Sequence, residues 1–134
     1  MTVARSHWKV LRLHALGLPG AYEDFPWGES VAKVNKKVFA FLGRPDEGTP
    51  QTIALKLRDA HDFALSLPGA SEVGYGLGRA GWVSVPVAQG APPVELLREW
   101  IEESYRLVAP KRLAEQLDGK PQPKGRSKKR KRKA

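Results

Sequence analysis

Cysteine is absent from these 134 residues. Its absence removes disulfide staples, thiolate zinc sites and a cysteine nucleophile together. Long hydrophobic runs are missing as well: nothing approaches the ~18 apolar residues of a membrane span. Residues 1–20, MTVARSHWKVLRLHALGLPG, also lack the apolar centre of a secretory signal. A soluble, cytoplasmic protein without a membrane partner is expected. Histidine is scarce. His7 and His14 fall near one helical face and His61 stands apart, with no third ligand to complete a metal site. Ser84 and Ser104 lie in strand and helix contexts without the strained turn that exposes a nucleophilic serine, so no Ser-His-Asp set can be argued. The expectation is a protein that is not an enzyme and carries neither cofactor nor metal.

Two stretches nevertheless resemble chemical motifs. In GYGLGRAGWVSVPV, residues 74–87, Gly76, Gly78 and Gly81 fit G-x-G-x-x-G. That fingerprint holds a pyrophosphate only where a buried strand ends and a helix begins, because the free N–H groups of the helix start do the binding. Here an alternating run from Trp82 to Val87 reads as a strand, and PGASEVGY before it is no buried strand. A glycine-rich turn is the better reading, with Arg79 at its tip either a solvated charge or a phosphate contact. In AYEDFPWGE, residues 21–29, Glu23, Asp24 and Glu29 stand beside Tyr22, Phe25 and Trp27. Carboxylates near aromatics suit a metal or sugar site, but the spacing matches no calcium loop. A rigid lid around Pro26, packing its aromatics on the core, explains the segment better.

Charge is unevenly spread. Of 23 basic residues nine lie in 120–134, KPQPKGRSKKRKRKA, which leaves 14 against all 14 acids in residues 1–119. The body is formally neutral and the net charge of +9 belongs to the tail. That tail has no aliphatic or aromatic side chain larger than proline or alanine, so it cannot offset its ordering entropy and is expected to be disordered. Lys124, Arg126, Lys128, Lys129, Arg130, Lys131, Arg132 and Lys133 make it a polyanion ligand driven by counterion release, with a purely solubilising role as the alternative.

Periodicity organises the body. Trp8, Leu11, Ala15 and Leu18 at helical spacing predict a helix over 3–16. Residues 30–35, 37–43 and 51–57 alternate and form an antiparallel meander, with Asn35-Lys36 as a tight hairpin turn. Asp59 is placed to cap a short helix over 60–66. A strand at 82–87 follows, then a helix over 93–109 with Pro93 at its first position, and a short helix over 111–117. The fold class is α+β, an antiparallel sheet of about five strands with helices on one face.

With these elements in place, four stretches carry a resemblance: LPGAYEDFPWGES (18–30), KVNKKVFAFLG (33–43), GWVSV (81–85) and WIEESYRLVAPKRL (100–113). The sequence resembles the MmcQ/YjbR family, small bacterial proteins described as DNA-binding, with a fold likened to a double wing or to secretion chaperones. The resemblance implies DNA binding on the sheet and its hairpins, where this chain offers Lys33, Lys36, Lys37, Arg44 and Lys56, whereas the tail's phosphate contacts, to DNA or to RNA, are expected to be independent of sequence. Solvated hairpin charges explain those five side chains equally well. Trp8, Trp82 and Trp100 are read as core or boundary aromatics, with base stacking by Trp82 as the sharper alternative. The competing function is a protein-interaction adaptor resembling secretion chaperones and acting as a homodimer.

Overall fold

A computed structural model describes residues 3–45, 48, 50–74, 80–87 and 92–119. The chain runs α1 (Val3–Leu16), β1 (Tyr22–Asp24), a 3-10 turn (Pro26–Gly28), β2 (Ser30–Val34), β3 (Lys37–Gly43), β4 (Thr52–Lys56), α2 (His61–Leu65), β5 (Ser71–Glu72), β6 (Trp82–Pro86), α3 (Val94–Val108) and α4 (Lys111–Gly119). The strands form one antiparallel sheet in the order β1-β2-β3-β4-β6-β5.

The β2–β3–β4 meander is built as its alternation predicts, and β6 joins it beside β4. Asn35 and Lys36 close the first hairpin with φ of 52° and 70°. Positive φ at both central residues suits the type I′ turn, whose twist matches that of the flanking strands. The sheet has six strands rather than five, because β1 and β5 are edge strands of three and two residues. Strands this short bury too little to leave a hydrophobic pattern. Ser71 and Glu72 are both exposed.

The glycine triplet opens no helix. Gly81 has φ +99° and leads directly into β6, and a Cβ there would lie 2.6 Å from the Leu57 carbonyl oxygen. Close backbone approach, sealed by the Leu57 N–H donating to the Gly81 carbonyl at 2.9 Å, accounts for the glycine. Gly76, Gly78 and Arg79 lie outside the described residues.

One core joins Leu11 and Ala15 of α1, Ala64 of α2 and Leu97, Trp100, Ile101 and Tyr105 of α3 to Val34, Phe39, Leu42, Ile53, Leu55, Val83 and Val85 of the sheet. Helices α1, α2 and α3 therefore share one sheet face, and α4 packs on α3. Three polar anchors fix α3 to this core. Ser104, fully buried, accepts the Lys56 N–H and donates to the Phe39 carbonyl. The Tyr105 hydroxyl donates to the Pro19 carbonyl while its ring meets Phe39 edge-on at 5.4 Å. Glu103 accepts the N–H groups of Arg58, Asp59 and Ala60 through one carboxylate oxygen.

That last contact corrects the expected cap of α2. Ala60, not Asp59, holds the N-cap position, and no side chain of the helix's own segment caps it. The Asp59 carboxylate pairs with Arg58 instead. Pro93 likewise precedes α3 as its N-cap, with ψ 148°, so the helix starts at Val94, one position after the expected start at Pro93.

Candidate nucleic-acid interface

The register assigns side chains to the other sheet face. Asp24, Val31, Phe41, Ala54, Ser84 and Ser71 form one row across the strands, paired in sequence from β1 to β5. A neighbouring row holds Tyr22 opposite Lys33, Lys33 opposite Val38, and Lys56 opposite Trp82. Side chains two apart on a strand share a face, so all of these lie opposite the helices. No described helix covers them. Val31 and Trp82 are buried here, although neither belongs to the helix-side core.

Of the basic residues expected to bind, three gather at one end. Lys33 is half-buried and its ammonium donates to the Asp24 carboxylate at 3.0 Å. That bond, with the Phe25 N–H, holds the Asp24 carboxyl below its ordinary range. Lys36 and Lys37 are exposed at the β2–β3 hairpin. Lys56 stands half-buried on the same face two strands away. Arg44 is at the far end of β3, about 20 Å from the hairpin tip by strand rise. Its guanidinium lies over the 3-10 turn, where a Cβ on Gly28 would come within 2.8 Å of Nη1. The hairpin lysines and Arg44 are therefore not one patch. Arg79 and all the basic tail residues, Lys124 through Lys133, lie outside the described residues.

The loop carboxylates do structural work. Glu23 accepts two bonds from Arg12, at 2.6 and 3.0 Å, and one from Ser30 at 2.6 Å. Burial alone would raise its pKa, but these bonds outweigh it and hold the carboxyl below the usual range. The same pairing raises the Arg12 pKa. Tyr22 and Phe25 are 41% and 53% exposed, which corrects the expected packing of these aromatics on the core: Tyr22 lies on an edge strand, on the sheet face opposite the helices, and Phe25 follows that strand. Among the described residues no cluster of three or more histidine or acidic side chains is placed to hold a metal ion.

Two depressions differ in character. A groove of about 590 Å³ between α3 and the β4–α2 connection is lined by Asp59, Glu99, Glu102 and Glu103 against Arg58 and Arg106. Four carboxylates against two guanidiniums make it unsuited to phosphate. Above it, His14 bonds Glu102 at 2.9 Å, and Arg98 approaches the other ring nitrogen at 3.5 Å. The second depression, about 370 Å³, opens on the helix-free sheet face and is lined by Glu29, Phe41, Thr52, Ala54, Val73 and Ser84. Sequence reasoning missed this cleft. Alternation shows which residues of a strand share a face, but cross-strand partners depend on bulges in β3, where the register shifts twice.

The architecture defines a small α+β protein with helices on one face of an antiparallel sheet and a lysine-bearing hairpin beside the other. The YjbR family model matches residues 16–107, and the chain belongs to that family. It is similar to the crystal structure of Deinococcus radiodurans protein DR2400, a DUF419-domain protein, at 25% identity and a TM-score of 0.57 over 88% of this chain and 92% of that one. No curated protein matches. Among the described residues no helix is long and apolar enough to cross a membrane.

Proposed function

We propose that this chain is a non-enzymatic, cytoplasmic nucleic-acid-binding protein that holds DNA mainly by phosphate contacts. The observation that carries the reading is the segregation of charge: a body with equal numbers of acids and bases bears nine further cations in its last 15 residues. Condensed counterions released from a polyanion drive such a segment onto DNA or RNA without selecting a sequence. Lys36 and Lys37, exposed at the hairpin, are the secondary contacts. The adaptor reading has less support, because among the described residues the large exposed apolar side chains fall on three elements: Val10 and Leu13 on α1, Tyr22 and Phe25 around β1, and Phe63 on α2.

Every described helix and strand lies within residues 3–119, so a 1–119 fragment retains them all. Titrating the full chain and this fragment against labelled duplex at several salt concentrations tests the proposal. Nine neutralised phosphates give a log–log slope of about −8 for the full chain, against about −2 for a fragment held by two lysines. Unchanged affinity after truncation removes the tail from the account. Absence of binding by both removes the nucleic-acid reading.

A further inference from the structure

The helix-free sheet face combines three features, of which phosphate contacts use only the last. The first is an aromatic floor. Phe41 is half-buried and lines the 370 Å³ cleft, with Trp82 braced against it edge-on at 5.0 Å. The second is a polar wall: Thr52 and Ser84 bring hydroxyls that donate or accept, and Glu29 brings an acceptor-only carboxylate. The third is a basic border. Lys33 and Lys56 lie in the row adjoining Phe41, and Lys36 stands at the hairpin continuing from Lys33. Neither Lys36 nor Lys56 has an ion-pair partner among the described residues.

We propose that this face binds single-stranded DNA, with one unstacked base seated on Phe41 in the cleft and the adjoining backbone running past Lys33, Lys56 and Lys36. The inference rests on the nucleic-acid reading above and adds a base-holding site to it. A duplex presents only base edges, within its grooves, so a cleft floored by an aromatic ring on a sheet has no base to receive from it. A single strand exposes whole base faces, and antiparallel sheets with aromatic platforms and flanking cations hold them by stacking with little regard to sequence. Lining by carboxylate and hydroxyls distinguishes this cleft from a phosphate pocket. Glu29 repels phosphate and accepts from an exocyclic amino group, so adenine and cytosine suit the cleft better than thymine.

The test uses the full chain and a single-stranded oligomer of about twelve nucleotides, within the span that one such domain covers. One version carries adenine and cytosine; the other has the same sugar-phosphate backbone with abasic sites, so the charge is equal. The base-bearing strand should bind ~10-fold more tightly. Phe41→Leu, which keeps an apolar side chain, should bring it close to the abasic value and leave abasic binding unchanged. Ala54→Leu, which fills the cleft beside Phe41 while leaving the aromatic ring in place, should do the same, with both variants checked for an unaltered thermal midpoint. Equal affinity for the two strands overturns the base site and leaves the phosphate reading standing. A preference for bases that survives in both variants places base contact elsewhere and also overturns it. Absence of binding to either strand removes both readings.

Discussion

Lys36 occupies a position where glycine is the least costly residue. At φ 70° its Cβ crowds the backbone, a conformation disfavoured by roughly 1–2 kcal/mol for residues other than glycine. Lys36→Gly should therefore raise the unfolding free energy measured in urea by about 0.5–1 kcal/mol, the steric gain being partly offset by glycine's larger unfolded-state entropy. The same substitution should weaken duplex binding, because it removes an exposed cation. A more stable variant with unaltered DNA affinity would strip the lysine of a binding role. His14 gives a second prediction. Burial lowers its pKa below 6.5, outweighing the carboxylate of Glu102, so the fold favours the neutral ring. Below the unfolded value the unfolded chain binds more protons at this residue, and stability falls as pH drops from about 6.5 toward the folded value. His14→Gln should flatten the loss of urea midpoint between about pH 7.5 and 5.5. Glu23 acts in a lower window: its depressed pKa contributes stability above about 4.5, which is lost as pH falls through the folded value.

Among the elements, α3 is the strut of the molecule, since three successive residues bond to three different segments. Residue 103 holds the chain entering α2, residue 104 joins β3 to β4, and residue 105 reaches the loop after α1. The ladder between β3 and β4 pairs Ala40 with Leu55 and Phe41 with Ala54, and beyond it the Ser104 hydroxyl bridges Phe39 and Lys56. Ser104→Ala should cost about 1–3 kcal/mol in chemical denaturation, because it strands a buried N–H and carbonyl. An effect below about 0.5 kcal/mol would mean that the two strands close the gap by themselves. Ser104 and Tyr105, which make two of these bonds, lie in WIEESYRLVAPKRL, one of the four stretches that carry the family resemblance. Helices α1 and α3 were legible because Trp8, Leu11 and Ala15, or Leu97, Ile101 and Tyr105, repeat at helical spacing over several turns. The Glu103 cap of α2 was not, since its partners are over 40 residues away and local capping rules point to Asp59. The cleft was illegible for a related reason: Phe41, Thr52 and Ser84 belong to three strands, and only the bulged register aligns them.

For the molecule as a whole, charge is divided between faces as well as along the chain. Asp59, Glu99, Glu102 and Glu103 cluster on the helix side, whereas Lys33, Lys36 and Lys56 lie on or beside the open sheet face. A polyanion held by residues 120–134, as proposed, would be repelled from the acidic groove and attracted to the lysine-bearing sheet face. Thermal stability can tell whether it reaches the body. A ligand raises the unfolding midpoint only if it binds the folded state more tightly than the unfolded one. The tail attracts phosphate by charge whether or not the body is folded, so DNA held by the tail alone leaves the midpoint where it was. DNA that also engages the hairpin and sheet must raise it. Saturating single-stranded DNA should therefore raise the midpoint of the full chain by a few degrees, about 1 kcal/mol at this size, and duplex should raise it less. Lys36→Ala with Lys37→Ala should diminish the duplex shift while leaving most of the duplex affinity, because nine tail cations remain. Tight binding with no shift from either form of DNA would mean that the tail works alone and the folded body serves another purpose.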